Sequence, residues 1–450
     1  MEARRAYSHV QRGRNLIIPN RHQNIVAILL AASFLPGCGT AVESGEETPA
    51  ATTYPVSLPE PAIRRVEPPA LDAEQRRRQA EVDQYLAQRY DDLGWRIVDT
   101  TQTYVGDIID WLDPASVPGS LVEPPPRPSP EDLRLPPGVQ FGLTELDLYP
   151  ELRGPEGTIP MHRPTFARYV LGEAEATSVE DFIQRHHVPG MPAGQNRLYA
   201  GYSKKVQHTM ASSYVTAFGG TIEAGTLTLV EMAVVNRGPT PSTTHEQVGI
   251  AIGRDKANMS DSLVRLRVEF MTAGDDVAGP YIGGWDGMVT GFVPAAGRPY
   301  GPNTVLPGVS TIGGIQYEHL LRIQLSGGNW WVSHNGNWLG YYPGWMFNLI
   351  NNVADEALWY GEVYDPTPTN WTWTDMGSGL FASAGYPNVS YFRNPYYVVP
   401  SGDSYWPDGA LGVGPSAAAC YTRSVLFAGA PPSDRYFHLG GPGGEAPGCD

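Results

Sequence analysis

Few side-chain patterns in this chain are spaced for chemistry. His245-Glu246 opens like a zinc-binding His-Glu-x-x-His helix, but Gln247, Val248 and Gly249 follow, and no second His stands in place. Gly377-Ser378-Gly379 lacks the frame of a nucleophile elbow, and Ser404 in Gly402-Asp403-Ser404 lacks following glycines. The ten His residues show no metal-ligand spacing, and His186-His187 sits in a polar stretch that reads as solvated. No phosphate- or dinucleotide-binding glycine pattern occurs, so no metal and no cofactor is expected. What remains is a region dense in Trp and Gly with isolated carboxylates.

Strands must position those carboxylates. Gly 51 and Pro 42 make up about a fifth of 450 residues, which disfavours long helical bundles and favours short strands joined by turns. Thr209–Phe218 and Thr226–Val235 are rich in Thr, Val, Tyr and Leu and flank Gly219-Gly220. Val264, Leu266, Val268 and Phe270 alternate with Arg265, Arg267 and Glu269, a pattern that predicts one buried face and one wet face. Asn335-Gly336, between Asn329–Ser333 and Asn337–Tyr342, predicts a two-residue hairpin turn. Trp345–Ala357 reads as the one helix of this half. The expectation is an all-β fold, an antiparallel β-sandwich or flattened barrel.

A smaller α+β unit precedes it. Asp72 can cap a helix whose Val82, Leu86, Tyr90 and Leu93 share one face and which Gly94 ends. A strand over Arg96–Thr103 follows, whereas Pro114–Pro137 is too proline-dense for an element interior.

Charge and cysteines bear on location. The formal net charge is −16, and residues 1–38 carry five Arg against one acidic residue, so the rest is more acidic still and a poor partner for nucleic acid. Those Arg residues precede the apolar run Ile25–Leu35, too short to span a bilayer but suited to a signal peptide. It ends in Leu35-Pro36-Gly37-Cys38, which resembles a bacterial lipobox with Cys38 as the lipidated residue. The expected location is the outer membrane or cell surface as a lipoprotein, otherwise the periplasm or the medium. Cys420 and Cys449 are the other two thiols, expected to pair in an oxidising compartment and contribute roughly 3–4 kcal/mol.

Five segments in order resemble the neprosin family of glutamic, proline-directed endopeptidases: Pro155-Glu156-Gly157-Thr158-Ile159-Pro160; Asn329-Trp330-Trp331 with Leu339-Gly340-Tyr341-Tyr342-Pro343; Trp359-Tyr360-Gly361-Glu362-Val363; Met376-Gly377-Ser378-Gly379; and Ser390-Tyr391-Phe392-Arg393-Asn394. The resemblance covers about 155–400, with a weaker echo of the family's prosegment in 71–115. It implies a signal peptide (1–38), linker (39–70), prosegment-like unit (71–165), connecting segment (166–195), catalytic domain (196–400) and Gly/Pro-rich extension (401–450). It also implies two glutamates at the scissile bond, one ionised to activate water and one protonated to donate, with activity at acid pH.

Glu362 carries over as one of the two. For the other, the family's Glu-x-Gly-Trp strand reads here as Gln247-Val248-Gly249-Ile250, which puts Gln247 at the glutamate position. Strand parity sets Gln247, Gly249 and Ala251 on one face and Glu246, Val248, Ile250 and Ile252 on the other. Glu231 stands where the family has Gln, so carboxylate and amide have exchanged places if both face the cleft. Four readings stay open: Glu362 with Glu231 and Gln247 as amide donor, Glu362 with Gln247 alone, Glu246 turned inward by a bulge, or a fold that has lost activity. Trp330, Trp331 and Tyr360 are candidate walls for a proline ring, and proline-containing peptides are the expected partner. A carbohydrate- or peptide-binding β-sandwich is the rival, and a paired-carboxylate glycosidase a third.

Overall fold

The computed structural model describes residues 70–163, 197–238, 245–257, 259, 261–272, 282–287, 291–365, 373–414, 419–428, 434–445 and 449, all within one compact unit, 59–450. Cys38 with the signal peptide, residues 39–69, and the connecting segment with His186-His187 lie outside the described residues.

Helix α1 (Ala73–Leu93) starts at Asp72, whose carboxylate accepts from the Gln75 amide at 2.8 Å while the Gln75 side chain accepts from the Asp72 N–H at 2.9 Å. Gly94, at φ +70°, ends it in the left-handed conformation that costs glycine nothing. Val82, Leu86 and Tyr90 are its buried stripe. After it come β1 (Ile97–Gln102), β2 (Ile108–Leu112), β3 (Val139–Phe141), a single-turn helix α2 (Glu145–Leu148) and β4 (Ile159–Arg163). β1, β2 and β4 form a small antiparallel sheet, whereas β3 lies parallel against Gln316–Glu318 of the large domain. Ile109, Trp111, Leu146 and Leu152 belong to the principal core, and Arg265 donates to Asp107 at 2.7 Å with both groups buried. This N-terminal segment is therefore bound by apolar burial and by a desolvated ion pair.

The sandwich is built from β5 (Arg197–His208), β6 (Met210–Thr216), β7 (Leu227–Arg237), β8 (His245–Asp255), β9 (Arg265–Thr272), β10 (Ile282–Trp285), β11 (Val293–Pro294), β12 (Gln316–Ser326), β13 (Asn329–His334), β14 (Asn337–Pro343), β15 (Ala354–Tyr364) and β16 (Ser390–Val398). Short strands β17 (Ser404–Tyr405), β18 (Leu411–Val413), β19 (Thr422–Arg423), β20 (Phe427–Ala428) and β21 (Arg435–Gly440) finish the chain. One antiparallel sheet runs β10-β9-β8-β7-β15-β5-β18; the other runs β11-β14-β13-β12-β6-β16-β21-β19. The Gly/Pro-rich tail thus contributes to both sheets, and the Cys420–Cys449 disulfide ties its end.

Alternate residues of the first sheet, Val230, Met232 and Val234 of β7 with Val248, Ile250 and Ile252 of β8 and Leu266, Val268 and Phe270 of β9, pack into one core with Leu321, Ile323, Trp330 and Val332 of the second. Each such side chain contributes roughly 1.5–3 kcal/mol on burial. The Asn335-Gly336 turn takes the positive φ angles, 49° and 77°, that a tight hairpin needs.

Two expectations fail. Residues 345–357 are not a helix: a single 3₁₀ turn spans Gly344–Met346, and β15 begins at Ala354. The segment between is held open by Glu246, whose carboxylate accepts from the backbone N–H groups of Asn348, Leu349 and Ile350 at 2.7, 2.6 and 3.0 Å. The second face of β9 is not wet either. Arg265, Arg267 and Glu269 are all buried, because each is paired. Arg267 binds Asp255 at 2.9 Å and Asp286 at 2.5 Å, and Glu269 lies in the cluster described next.

Candidate active site

The outer face of the first sheet gathers the candidate residues. Across β15, β7, β8 and β9 the register pairs Tyr360 with Glu231, Glu362 with Leu229, Val235 with Gln247, and Gly249 with Glu269. Residues opposite one another in a ladder share a face, so Glu231, Gln247, Glu269, Tyr360 and Glu362 all project to the same side.

Glu231 and Glu269 reach toward each other from either side of β8 and meet over Gly249. A Cβ at that position would lie 2.2 Å from Glu231 Oε1 and 2.8 Å from Glu269 Cγ, so only glycine leaves room for the two carboxyl groups. Two carboxyl groups this close cannot both ionise cheaply. Burial, then the neighbouring Glu269, push Glu231 well above the ordinary carboxylate range. Burial also raises Glu269, partly offset by its hydrogen bond from Glu231 and by Arg197. Gln247 bridges the pair: its Nε2 donates to Glu231 Oε1 at 3.1 Å and to Glu269 Oε1. The Tyr360 hydroxyl completes the shell around Glu231, and Tyr199 meets the Tyr360 ring edge-on at 5.6 Å.

Glu362 is buried one pleat along β15 from Tyr360 and pairs with Arg197 of β5. Glu362 and Gln247 are not brought together. On the strand between them they face Leu229 and Val235, six residues apart, about 20 Å at ~3.3 Å per residue. Glu231 lies between the two along β7.

Glu246 points into the core side of β8 and accepts the three backbone N–H groups already described, a structural anchor rather than a cleft group. Trp330 and Trp331, expected as subsite walls, are both buried in the opposite sheet. Trp330 fills the core and donates from Nε1 to the Ile350 carbonyl at 2.6 Å. Trp331 packs with Trp338, Tyr341 and Ala295. Two apolar clusters share this face, one with Leu229, Met271, Trp285 and Tyr364 and the other with Ala233, Val235, Leu358 and Tyr199. Glu269 went unrecognised in the sequence, where its alternation with apolar residues marks only a strand face and not the partners that bury it.

Among the described residues no cluster of His, Cys, Asp and Glu is arranged to hold a metal ion. Solved structures with some likeness include SCP-B, a member of the eqolisin family of peptidases, in complex with the tripeptide Ala-Ile-His (8% identity, 54% of this chain and 97% of that chain, TM-score 0.29). Scytalido-glutamic peptidase with a transition-state analogue inhibitor is another (9% identity, 54% and 98%, TM-score 0.27). Both likenesses are too slight to argue from. The family model that matches is Neprosin, over residues 230–442, so the span that holds Glu231, Gln247, Glu269 and Glu362 is similar to that family.

Proposed function

We propose that this chain is an exported, acid-acting peptidase that hydrolyses peptide bonds after proline with a pair of glutamates. The observation that carries the reading is the Glu231–Glu269 carboxyl pair meeting over Gly249, with Gln247 donating to both. In this reading ionised Glu269 takes a proton from water as its oxygen attacks the scissile carbonyl carbon. Glu231 gives its proton to the carbonyl oxygen, the Gln247 amide steadies the developing charge, and collapse returns a proton to the leaving nitrogen as the C–N bond breaks. Glu362 holds Arg197 beside the pair. The proposed preference for proline is supported by the likeness to the family and by Tyr199, Trp285, Tyr360 and Tyr364 on the face of the carboxyl pair.

A second reading keeps Glu362 as the base and Glu231 as the acid, favoured by their place on one face a pleat apart. Cleavage of a proline-containing fluorogenic peptide at pH 4 separates the two. Glu269→Gln abolishes cleavage under the first reading and spares it under the second, in which Glu362→Gln abolishes it. No cleavage by any processed form, with binding on a glycan array, would favour a carbohydrate-binding sandwich instead.

We also propose that residues 71–165 act as a prosegment, a reading supported by the buried Asp107–Arg265 ion pair and the apolar contacts that bind this segment to the sandwich. Incubation of the purified chain at pH 4, followed by mass spectrometry, tests this: a chain that stays intact yet is active contradicts it. The lipid anchor is tested by Cys38→Ser, expected to move the protein from the membrane to the soluble fraction.

A further inference from the structure

Gln247 is useful to a carboxyl pair only if its amide nitrogen, not its oxygen, faces them. Side chains outside the pair decide that orientation. Arg237 and His245 are ladder partners on β7 and β8, and Glu356 of β15 faces Val235 one pleat away, so all three share the face of Gln247. Arg237 Nε donates to Glu356 Oε2 at 2.8 Å, and Arg237 Nη1 lies 3.5 Å from His245 Nδ1. A guanidinium has no acceptor, so the nitrogen it faces must be the unprotonated one. The imidazole proton then sits on Nε2, which is 2.8 Å from Gln247 Oε1. With its oxygen held by that donor, the amide turns both its N–H groups to Glu231 and Glu269. A flipped amide would set donor against donor at His245 and oxygen against oxygen at the carboxyl pair.

We propose that His245, its tautomer fixed by the Glu356-supported Arg237, is a positioning residue that holds the Gln247 amide in the orientation the carboxyl pair uses. Burial and the Arg237 charge pull the His245 pKa down to about 4, against the smaller opposing effects of Gln247 and Glu356, so the imidazole is neutral above that pH. The kinetic part of this inference rests on the carboxyl-pair reading of function; the tautomer does not.

Two measurements on the full chain test it. In nitrogen-15 spectra of the imidazoles at pH 6.5, His245 is expected as the Nε2–H tautomer, and Arg237→Gln should admit the Nδ1–H form. A wild-type His245 in the Nδ1–H form overturns the proposal whether or not any peptide is cut. In cleavage assays after acid processing, Phe at position 245 keeps a ring without a donor, and Gln keeps a donor without a ring. His245→Phe is expected to lower kcat by up to ~10²-fold at unchanged KM, while His245→Gln stays within several-fold of wild type. His245→Phe with wild-type kcat, or His245→Gln worse than His245→Phe, would show that the ring only fills space. If the wild-type chain cuts nothing, the reading of function fails and the tautomer still decides this one.

Discussion

Glu231 and Glu269 come from strands on either side of β8 and touch across the single residue there that has no side chain, Gly249. That contact ties local sequence to electrostatics, since burial raises the pKa of both carboxyl groups and the neighbouring Glu269 raises Glu231 further.

Gly249→Ala should break the contact. The added methyl falls inside the space of both carboxyl groups, and overpacking of this kind costs about 1–3 kcal/mol. A lowered denaturation midpoint together with lost peptide cleavage is expected; a fully active, equally stable variant would show that the carboxyl groups do not meet there.

The pair also sets a pH dependence of stability. Glu231 has a folded pKa above its ordinary value of 4.5, so the native state binds a proton that the unfolded state releases. Stability therefore falls as pH rises from about 4.5 toward the folded pKa, and the penalty is complete above it. Denaturant titrations from pH 4 to 8 should show wild type losing stability relative to Glu231→Gln as pH rises. Parallel curves would contradict this.

Arg197 acts on the same equilibrium from the other side. Its charge lowers the pKa of both Glu231 and Glu269, so Arg197→Gln should raise them. The high-pH limb of peptide cleavage is then expected to move upward, and a shift downward would mean that Arg197 does not act through the pair.

Glu246→Gln separates structure from chemistry. An amide can accept with one oxygen where the carboxylate now uses two for three backbone N–H groups, so a loss of about 1–3 kcal/mol is expected with kcat unchanged. Thermal melting read beside peptide cleavage checks both halves; lost activity at full stability would place Glu246 in the cleft.

Much of the frame was legible in the chain. Asp72 and Gly94 delimit α1, Asn335-Gly336 marks its hairpin, and alternation along β8 separates Gln247 from Glu246, because each of these signals is local and each physical cause sits within a few residues. Glu269 was not legible. Alternation of Arg265, Arg267 and Glu269 with apolar residues reads the same whether the second face meets water or buried partners, and those partners, Asp107, Asp255, Asp286, Gln247 and Glu231, come from other strands and loops. Residues 345–357 misled for a related reason. Their conformation is fixed by a carboxylate about a hundred positions away, which no local periodicity records.

The most direct test of the central claim is kcat/KM for Glu269→Gln on a proline-containing fluorogenic peptide at pH 4. Loss of one proton-transfer partner predicts a fall of ~10²–10⁴-fold with the fold intact. A value equal to wild type would remove Glu269 from the working pair and contradict the account.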